Sequence, residues 1–404
     1  MSSVDWVPEL AAALDGLVPF DEATRADWDD VVARAAMRSV PRRGRRRHRH
    51  LRLTLALALL FLVLAGVAAA TYLLVRGNGK IAIEGEYGKL LAVNSNGPGL
   101  RTIARCATGT TSCAVLQPAW SPDGRRLAFV RGHPGGPNES GRMSLYVASA
   151  DGGGARRLAA CGGCGEQWGA HLGWSPDGRW IAFSRDAGPG GQEALWVVAA
   201  AGGRPHRVTD CRPAGCADVE PVWSQDGQVL VLNRITVERV AVDRLYTVRP
   251  DGSGLRRIAA GRDPQWSPDG SRIVFDGHDG IDVAAPDGSD VRLLFAEAGG
   301  TGPGAPSWSP DGSKLVFFKT PGRPGHYRAE VWTMNADGSA KQRLYRSGCC
   351  VMGWAAPVWS PDGRMIAFSA DSAGGTFVIN ADGSGLRRLS PSTSSSLSWQ
   401  QRPQ

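Results

Sequence analysis

The chain has 404 residues, 42% of them hydrophobic, which is enough for a large core and argues against wholesale disorder. Its formal net charge of +8 is unevenly placed: −5 over residues 1–41, +7 over residues 42–52 and only +6 over residues 76–404. No long stretch reads as a phosphate-binding stripe, so a nucleic-acid partner is not expected.

The chain begins with an arm, residues 1–52. Within it ADWDDVVARA (26–35) sets Trp28, Val31, Val32 and Ala35 at helical spacing. This reads as a short membrane-surface helix, the alternative being a contact through which residues 1–41 bind a cytoplasmic partner and signal across the membrane. The arm ends in RRGRRRHRHLR (42–52). Next comes LTLALALLFLVLAGVAAATYLLV (53–75), 23 residues without a charge. At about 1.5 Å per residue such a helix crosses a hydrocarbon layer of roughly 30 Å. Arginines beside a span stay in the cytoplasm. The expected arrangement is therefore a single-pass cell-membrane protein with its N-terminus inside and residues 77–404 outside. The competing reading is a cleaved signal peptide with Ala68-Ala69-Ala70 as its small-residue site; the long stretch before the apolar segment speaks against it.

Beyond the span one line recurs six times: WSPDGRRLAF from Trp120, WSPDGRWIAF from Trp174, WSQDGQVLVL from Trp223, WSPDGSRIVF from Trp266, WSPDGSKLVF from Trp308 and WSPDGRMIAF from Trp359. Proline presets φ in the turn, and glycine supplies the left-handed residue that closes a bulged hairpin. Nine residues after each Trp stands Phe129, Phe183, Leu232, Phe275, Phe317 or Phe368. The flanks alternate with the period of strands. A second hairpin follows in each copy, as in LYVASADGGGARRL (145–158). It always ends on an aliphatic residue (Leu158, Val208, Ile258, Leu294, Leu344, Leu389), preceded by arginine in five copies. Apolar inward and charged outward suits a sheet's outer edge.

Four strands per repeat of some 40 to 54 residues, with no helical period between them, predict the blades of an all-β propeller. Residues 77–104 supply three strands lacking a first, and Trp399 marks a first strand lacking the rest. Paired, these ends would make a seventh blade and close the ring; six blades is the alternative. Trp120, Trp174, Trp223, Trp266, Trp308, Trp359 and Trp399 are expected to pack between blades rather than to stack against carbohydrate.

All eight cysteines follow the span, in local pairs: Cys106 and Cys113, Cys161 and Cys164, Cys211 and Cys216, Cys349 and Cys350. An even count confined to the exported part predicts disulfides. The CGGC at Cys161 has no second CxxC to complete a zinc site and no βαβ context for redox chemistry.

The W-S-P-D-G-x-x-I-A-F line followed by D-G-S-x-x-x-R-x-L resembles the TolB-type, WD40-like β-propeller repeat, over residues 77–404. The resemblance implies the propeller fold. Its functional implication is divided, because the repeat occurs both in periplasmic scaffold proteins and as the gating domain of prolyl-oligopeptidase-like peptidases.

No catalytic constellation stands out. A peptidase would need a nucleophile elbow in an α/β-hydrolase domain. The nearest fragment, Ala370-Asp371-Ser372-Ala373-Gly374, lies between two predicted strands, and no further domain is expected before Gln404. The histidines form no HExxH motif. The candidate site is a polar rim three residues before each Trp, where the innermost strand begins: Gln117, His171, Glu220 and Asp263, against Ala305, Ala356 and Ser396 in the other blades. The expected function is a non-enzymatic, membrane-anchored module that binds a protein, peptide or glycan at this rim. The alternative is a hydrolase or lyase using a central-pocket metal. No cofactor is predicted; Ca2+ is the ion considered.

Overall fold

The structure, a computed structural model, describes residues 79–401 except 86–87, 98, 107–112, 134–140, 163–171, 189–191, 212–215, 238–239, 297–300, 322–327, 349–353, 371–374, 392–393 and 395. The arm and the apolar segment 53–75 lie outside the described residues, among which no helix is long and apolar enough to cross a membrane. The described residues form strands, turns and loops only.

The repeated lines become antiparallel sheets whose strands pair in chain order. Ala114–Trp120, Arg126–His133, Arg142–Ser149 and Arg156–Gly162 make one. Arg262–Trp266, Ile273–Asp276, Gly280–Ala284 and Arg292–Ala296 make another. Thr301–Trp308, Lys314–Thr320, Glu330–Asn335 and Gln342–Arg346 follow, then Trp354–Trp359, Met365–Ala370, Gly375–Asn380 and Arg387–Ser390. Two further runs, Gly173–Trp174 to His206–Arg207 and Cys216–Trp223 to Arg256–Ala260, are joined into one larger sheet by a single parallel bridge between Glu193 and Ala217. The remaining sheet draws on both ends of the chain. Leu397–Trp399 pairs with Lys80–Gly85, which leads to Lys89–Asn94 and Arg101–Arg105. Trp399 lies opposite Ile81, and the Gln400 amide donates to the Lys80 carbonyl at 2.8 Å.

Each Trp turn is built in the same way. The glycine amide donates to the serine carbonyl, and the serine hydroxyl donates to Asp Oδ1, as in Ser175 to Asp177 at 2.6 Å. The glycines at 124, 178, 227, 270, 312 and 363 adopt φ between 64° and 71°, where a Cβ is strained. Gln225 replaces proline in the third copy, yet Gly227 still donates to Ser224 at 2.9 Å and Ser224 to Asp226 at 2.6 Å. The side-chain bonds hold the turn; proline only presets it.

The core sits between neighbouring sheets. Phe129, Phe183, Leu232, Phe275, Phe317 and Phe368 are all at most 1% exposed. Phe129 packs with Trp120 and Leu127 against Leu90 and Ile103 of the preceding sheet. Five of the repeat tryptophans are buried, and Trp174 and Trp308 are half-buried. Four indoles reach across to the carbonyl just before the preceding sheet's Trp: Trp174 to Ala119, Trp223 to Gly173, Trp266 to Val222 and Trp359 to Ser307, at 2.9–3.2 Å. The tryptophan is needed for both properties at once, a large apolar body and a donor at its tip. The first strands touch one another in chain order, and Leu397–Trp399 touches both Trp354–Trp359 and Ala114–Trp120.

Candidate functional site

The residue three before Trp sits in a bulge. In the first sheet Leu116 pairs with Val130 and Ala119 with Ala128, so Gln117 and Pro118 share one partner position. The same slip recurs at Val219/Val222, Arg262/Gln265 and Gly304/Ser307. At these slips Gln117, Glu220, Asp263 and Ala305 take φ of 54°, 56°, 53° and 52°. A left-handed non-glycine residue costs on the order of 1–2 kcal/mol. Each is followed by proline (Pro118, Pro221, Pro264, Pro306), which disfavours the right-handed helical region for its predecessor and brings no amide that the bulge would orphan.

The bulge turns one amide out of the ladder, and a carboxylate from the neighbouring sheet takes it up. The Gln117 amide donates to Glu84 Oε1 at 2.7 Å, and the Asp263 amide donates to Glu220 Oε2 at 2.8 Å. Glu84 and Glu220 are 7% and 5% exposed. Glu220 is therefore a clamp between adjacent first strands, not an open ligand group. Asp263 is half-buried, as is Ala356, while Gln117, Ala305 and Ser396 are buried. His171 lies outside the described residues.

Around the Glu220–Asp263 pair the structure gathers groups that the sequence pattern did not single out. Arg262 Nε lies 2.8 Å from Asp276 Oδ2 and 4.0 Å from Asp263 Oδ2. Asn233 Nδ2 donates to Asp243 Oδ1 at 3.0 Å, and its own buried Oδ1 has no hydrogen-bond partner. Burial pushes the Glu220 carboxyl well above the usual carboxylate range; the charges of Asp263 and Asp243 push the same way. Burial also pushes Asp276 up to about 6, against the pull of Arg262. The cluster thus offers several carboxyl groups, of which Glu220 and Asp276 hold their protons more tightly than usual, and a guanidinium whose side chain is 56% exposed. Such a set can donate to and accept from a polar ligand. Its oxygen donors suit a hard cation, with Arg262 as the competing charge.

The cysteines brace the approach to the first strands. Cys106–Cys113 and Cys211–Cys216 are disulfides flanking Ala114–Trp120 and Cys216–Trp223. Cys161 is also disulfide-bonded. Cys164, Cys349 and Cys350 lie outside the described residues. Cys211, Cys216 and Asp218 form a compact group of ligand-type atoms. It is not a metal centre, because the thiols are oxidised and Asp218 is held by Arg234 through two bonds of 2.6 and 2.7 Å.

Four-stranded antiparallel sheets cemented face to face by repeated tryptophans define a protein of the β-propeller class. More narrowly, the TolB beta propeller domain (PD40) matches residues 98–285 and 172–349, and the chain belongs to that family. It is 29% identical over 180 residues to the Protein TolB homolog of Chlorobium luteolum, spanning 44% of this chain and 36% of that one. It is 26% identical over 203 residues to the Uncharacterized peptidase YuxL of Bacillus subtilis, spanning 41% of this chain and 30% of the relative. The matches thus span about a third of the length of these curated relatives. Among solved structures, an oligogalacturonate lyase in complex with manganese superposes with a TM-score of 0.55 at 18% identity, over 78% of this chain and 86% of the lyase. At that identity the likeness is one of fold.

Proposed function

We propose that the chain is a binding module: a seven-bladed propeller closed by its two ends, anchored through residues 53–75 with its N-terminus in the cytoplasm, and holding a protein, peptide or glycan outside. Closure is supported by the pairing of Leu397–Trp399 with Lys80–Gly85. The observation that carries the binding role is the asymmetry of the bulge positions. Asp263 and Arg262 keep 28% and 56% of their side chains accessible beside buried acidic groups, whereas the equivalent positions on later sheets are Ala305, Ala356 and Ser396. Two disulfides, Cys106–Cys113 and Cys211–Cys216, stand at the starts of the first strands that carry Gln117 and Glu220. The arm, residues 1–41, is then free to meet a cytoplasmic partner.

The test is capture from envelope extract by the full chain in mild detergent. Asp263→Asn and Arg262→Gln should each weaken retention of the captured ligand by about tenfold, the value of one charge-assisted hydrogen bond. Glu220→Gln serves as a fold control, since its carbonyl still accepts the Asp263 amide. Retention unchanged in both rim variants refutes the rim as the binding site.

A second reading, a propeller enzyme with a central metal, is favoured by one observation: the unpartnered Asn233 Oδ1 beside Asp243. Equilibration with Mn2+ or Ca2+ and metal analysis separates the two. A stoichiometric ion lost in Asp243→Asn would support the enzyme reading.

A further inference from the structure

A cavity of about 620 Å3 lies between the turns Ser175–Gly178 and Ser224–Gly227, at the opposite end of the strands from the disulfide loops. Its walls include Trp180 and Trp223, the His206 ring and the carboxylates Asp177, Asp226 and Asp251, and among the described residues no arginine or lysine lines it. Trp180 is 39% exposed, and His206 meets it edge-on at 6.0 Å while bonding the Pro250 carbonyl at 3.1 Å.

The same place one sheet earlier is occupied. There Arg126, six residues after Trp120, lays its guanidinium 5.0 Å over the Trp174 ring and donates to the Gly178 carbonyl at 2.8 Å. A Cβ built on Gly178 would lie 3.3 Å from Arg126 Nη2. The residue six after Trp174 is not arginine but Trp180. A Cβ built on Gly227 would meet only Pro176 Cδ, at 3.7 Å. The aromatic floor and the turn remain without a guanidinium stacked on the ring; Arg179 keeps its Nε 3.8 Å from Asp177 Oδ2, and its side chain is 81% exposed. A second cavity, about 570 Å3 between the turns at Ser267 and Ser309, has the same plan but holds Arg272 and Arg292, both paired with Asp290.

The acidic groups of the first cavity stay ionised. Burial raises Asp177 somewhat, but the Ser175 hydroxyl and the Arg179 amide bring it below its usual value. The Ser224 hydroxyl and Gln228 amide hold Asp226 down, and the Ser253 amide and hydroxyl hold Asp251 down. Both turn bonds of Asp226 fall on Oδ1. Aromatic faces ringed by carboxylates recognise a planar cation through stacking and charge-assisted bonds together.

We propose that this cavity receives an arginine side chain from a protein partner, which takes over on Trp223 and Gly227 the position Arg126 holds on Trp174 and Gly178. The inference stands apart from the rim, at the other end of the strands. Arginine is favoured over lysine because the internal precedent uses a guanidinium both to stack and to donate to a carbonyl.

The probe is the pentapeptide Gly-Gly-Arg-Gly-Gly with blocked ends, titrated into the full chain in detergent and followed by tryptophan fluorescence. Its citrulline counterpart has nearly the same shape without the charge, and should bind about tenfold or more weakly. The lysine peptide should fall between them. Trp180→Arg should supply the missing guanidinium from within and abolish peptide binding while leaving the melting temperature unchanged or raised. Asp226→Asn, which leaves the fold's core untouched, should weaken binding several-fold and keeps the test open if Trp180→Arg does not fold. Equal binding of arginine and citrulline peptides, no saturable binding at all, or full binding by folded Trp180→Arg overturns the proposal.

Discussion

Asp276 gives the fold a stability that depends on pH in an unusual direction. Its carboxyl is buried in the second strand of its sheet and titrates at about 6 instead of 3.8, with burial as the leading cause and Arg262 as the opposing one. A group whose folded pKa is raised binds its proton more tightly in the native state. Its contribution is complete below the unfolded value near 4, is lost as pH climbs from about 4 to 6, and has vanished by roughly pH 7. A displacement of about two units is worth on the order of 3 kcal/mol. Urea unfolding of the full chain in detergent, at half-unit steps from pH 4 to 8, should show the midpoint falling across that window. Asp276→Asn keeps the shape and can still accept from Arg262, but cannot ionise, so the fall attributable to this group should disappear. Glu220 is displaced in the same sense, so some slope should remain in the variant, ending in Glu220→Gln. The turn aspartates such as Asp226 and Asp269 are held low by serine hydroxyls and backbone amides, and their contribution is lost only below pH 4, outside the window. Parallel curves for wild type and Asp276→Asn between pH 4 and 7 would refute the reasoning.

Two further expectations concern how the sheets are joined. Trp399 is 3% exposed among Ile81, Ile83 and Val93, so Trp399→Ala should cost about 3–5 kcal/mol, and deletion of residues 397–404 should cost at least as much; unfolding midpoints unchanged in both would argue against closure through this strand. Asp218 is fully buried and held by both arms of Arg234, whose guanidinium also lies 4.9 Å over Tyr246. Asp218→Ala should therefore lose roughly 3–5 kcal/mol, much of it recovered when Arg234→Met removes the stranded cation, as a double-mutant cycle would reveal.

The strands and turns were legible because their causes are local. Ser-Pro-Asp-Gly closes on its own side chains, and the residue nine after each Trp needs only the period of two to point inward. The bulge carries a subtler signal: proline stands two residues before Trp at Pro118, Pro221, Pro264, Pro306 and Pro357. A proline in an inner strand is tolerated at a bulge, and that rule would have located the left-handed residue. Glu84, Asp243 and Asp276 could not be found from the repeat. They lie on second and third strands, and only the register brings them to the bulge. Trp180 is the one aromatic member of the series Arg126, Trp180, Val229, Arg272, Lys314 and Met365, in which three positions carry a cation, but its meaning depends on seeing what Arg126 covers.

The geometry also changes which rim residue deserves weight. A charged side chain near the centre of a propeller invites a ligand reading, and Glu220 is the obvious choice on sequence grounds. Yet the left-handed bulge frees an amide that would otherwise be buried without a partner, at a cost of about 1–3 kcal/mol, and the Glu220 carboxylate answers that need. Glu84 does the same for Gln117. These two glutamates are explained by the backbone alone. Asp263 is not: its amide needs Glu220, but nothing in the bulge requires a carboxylate at that position, since Ala305 adopts the same conformation without one, while Arg262 already serves the buried Asp276. Whatever specificity the rim has must therefore come first from Asp263, with the exposed part of Arg262 beside it.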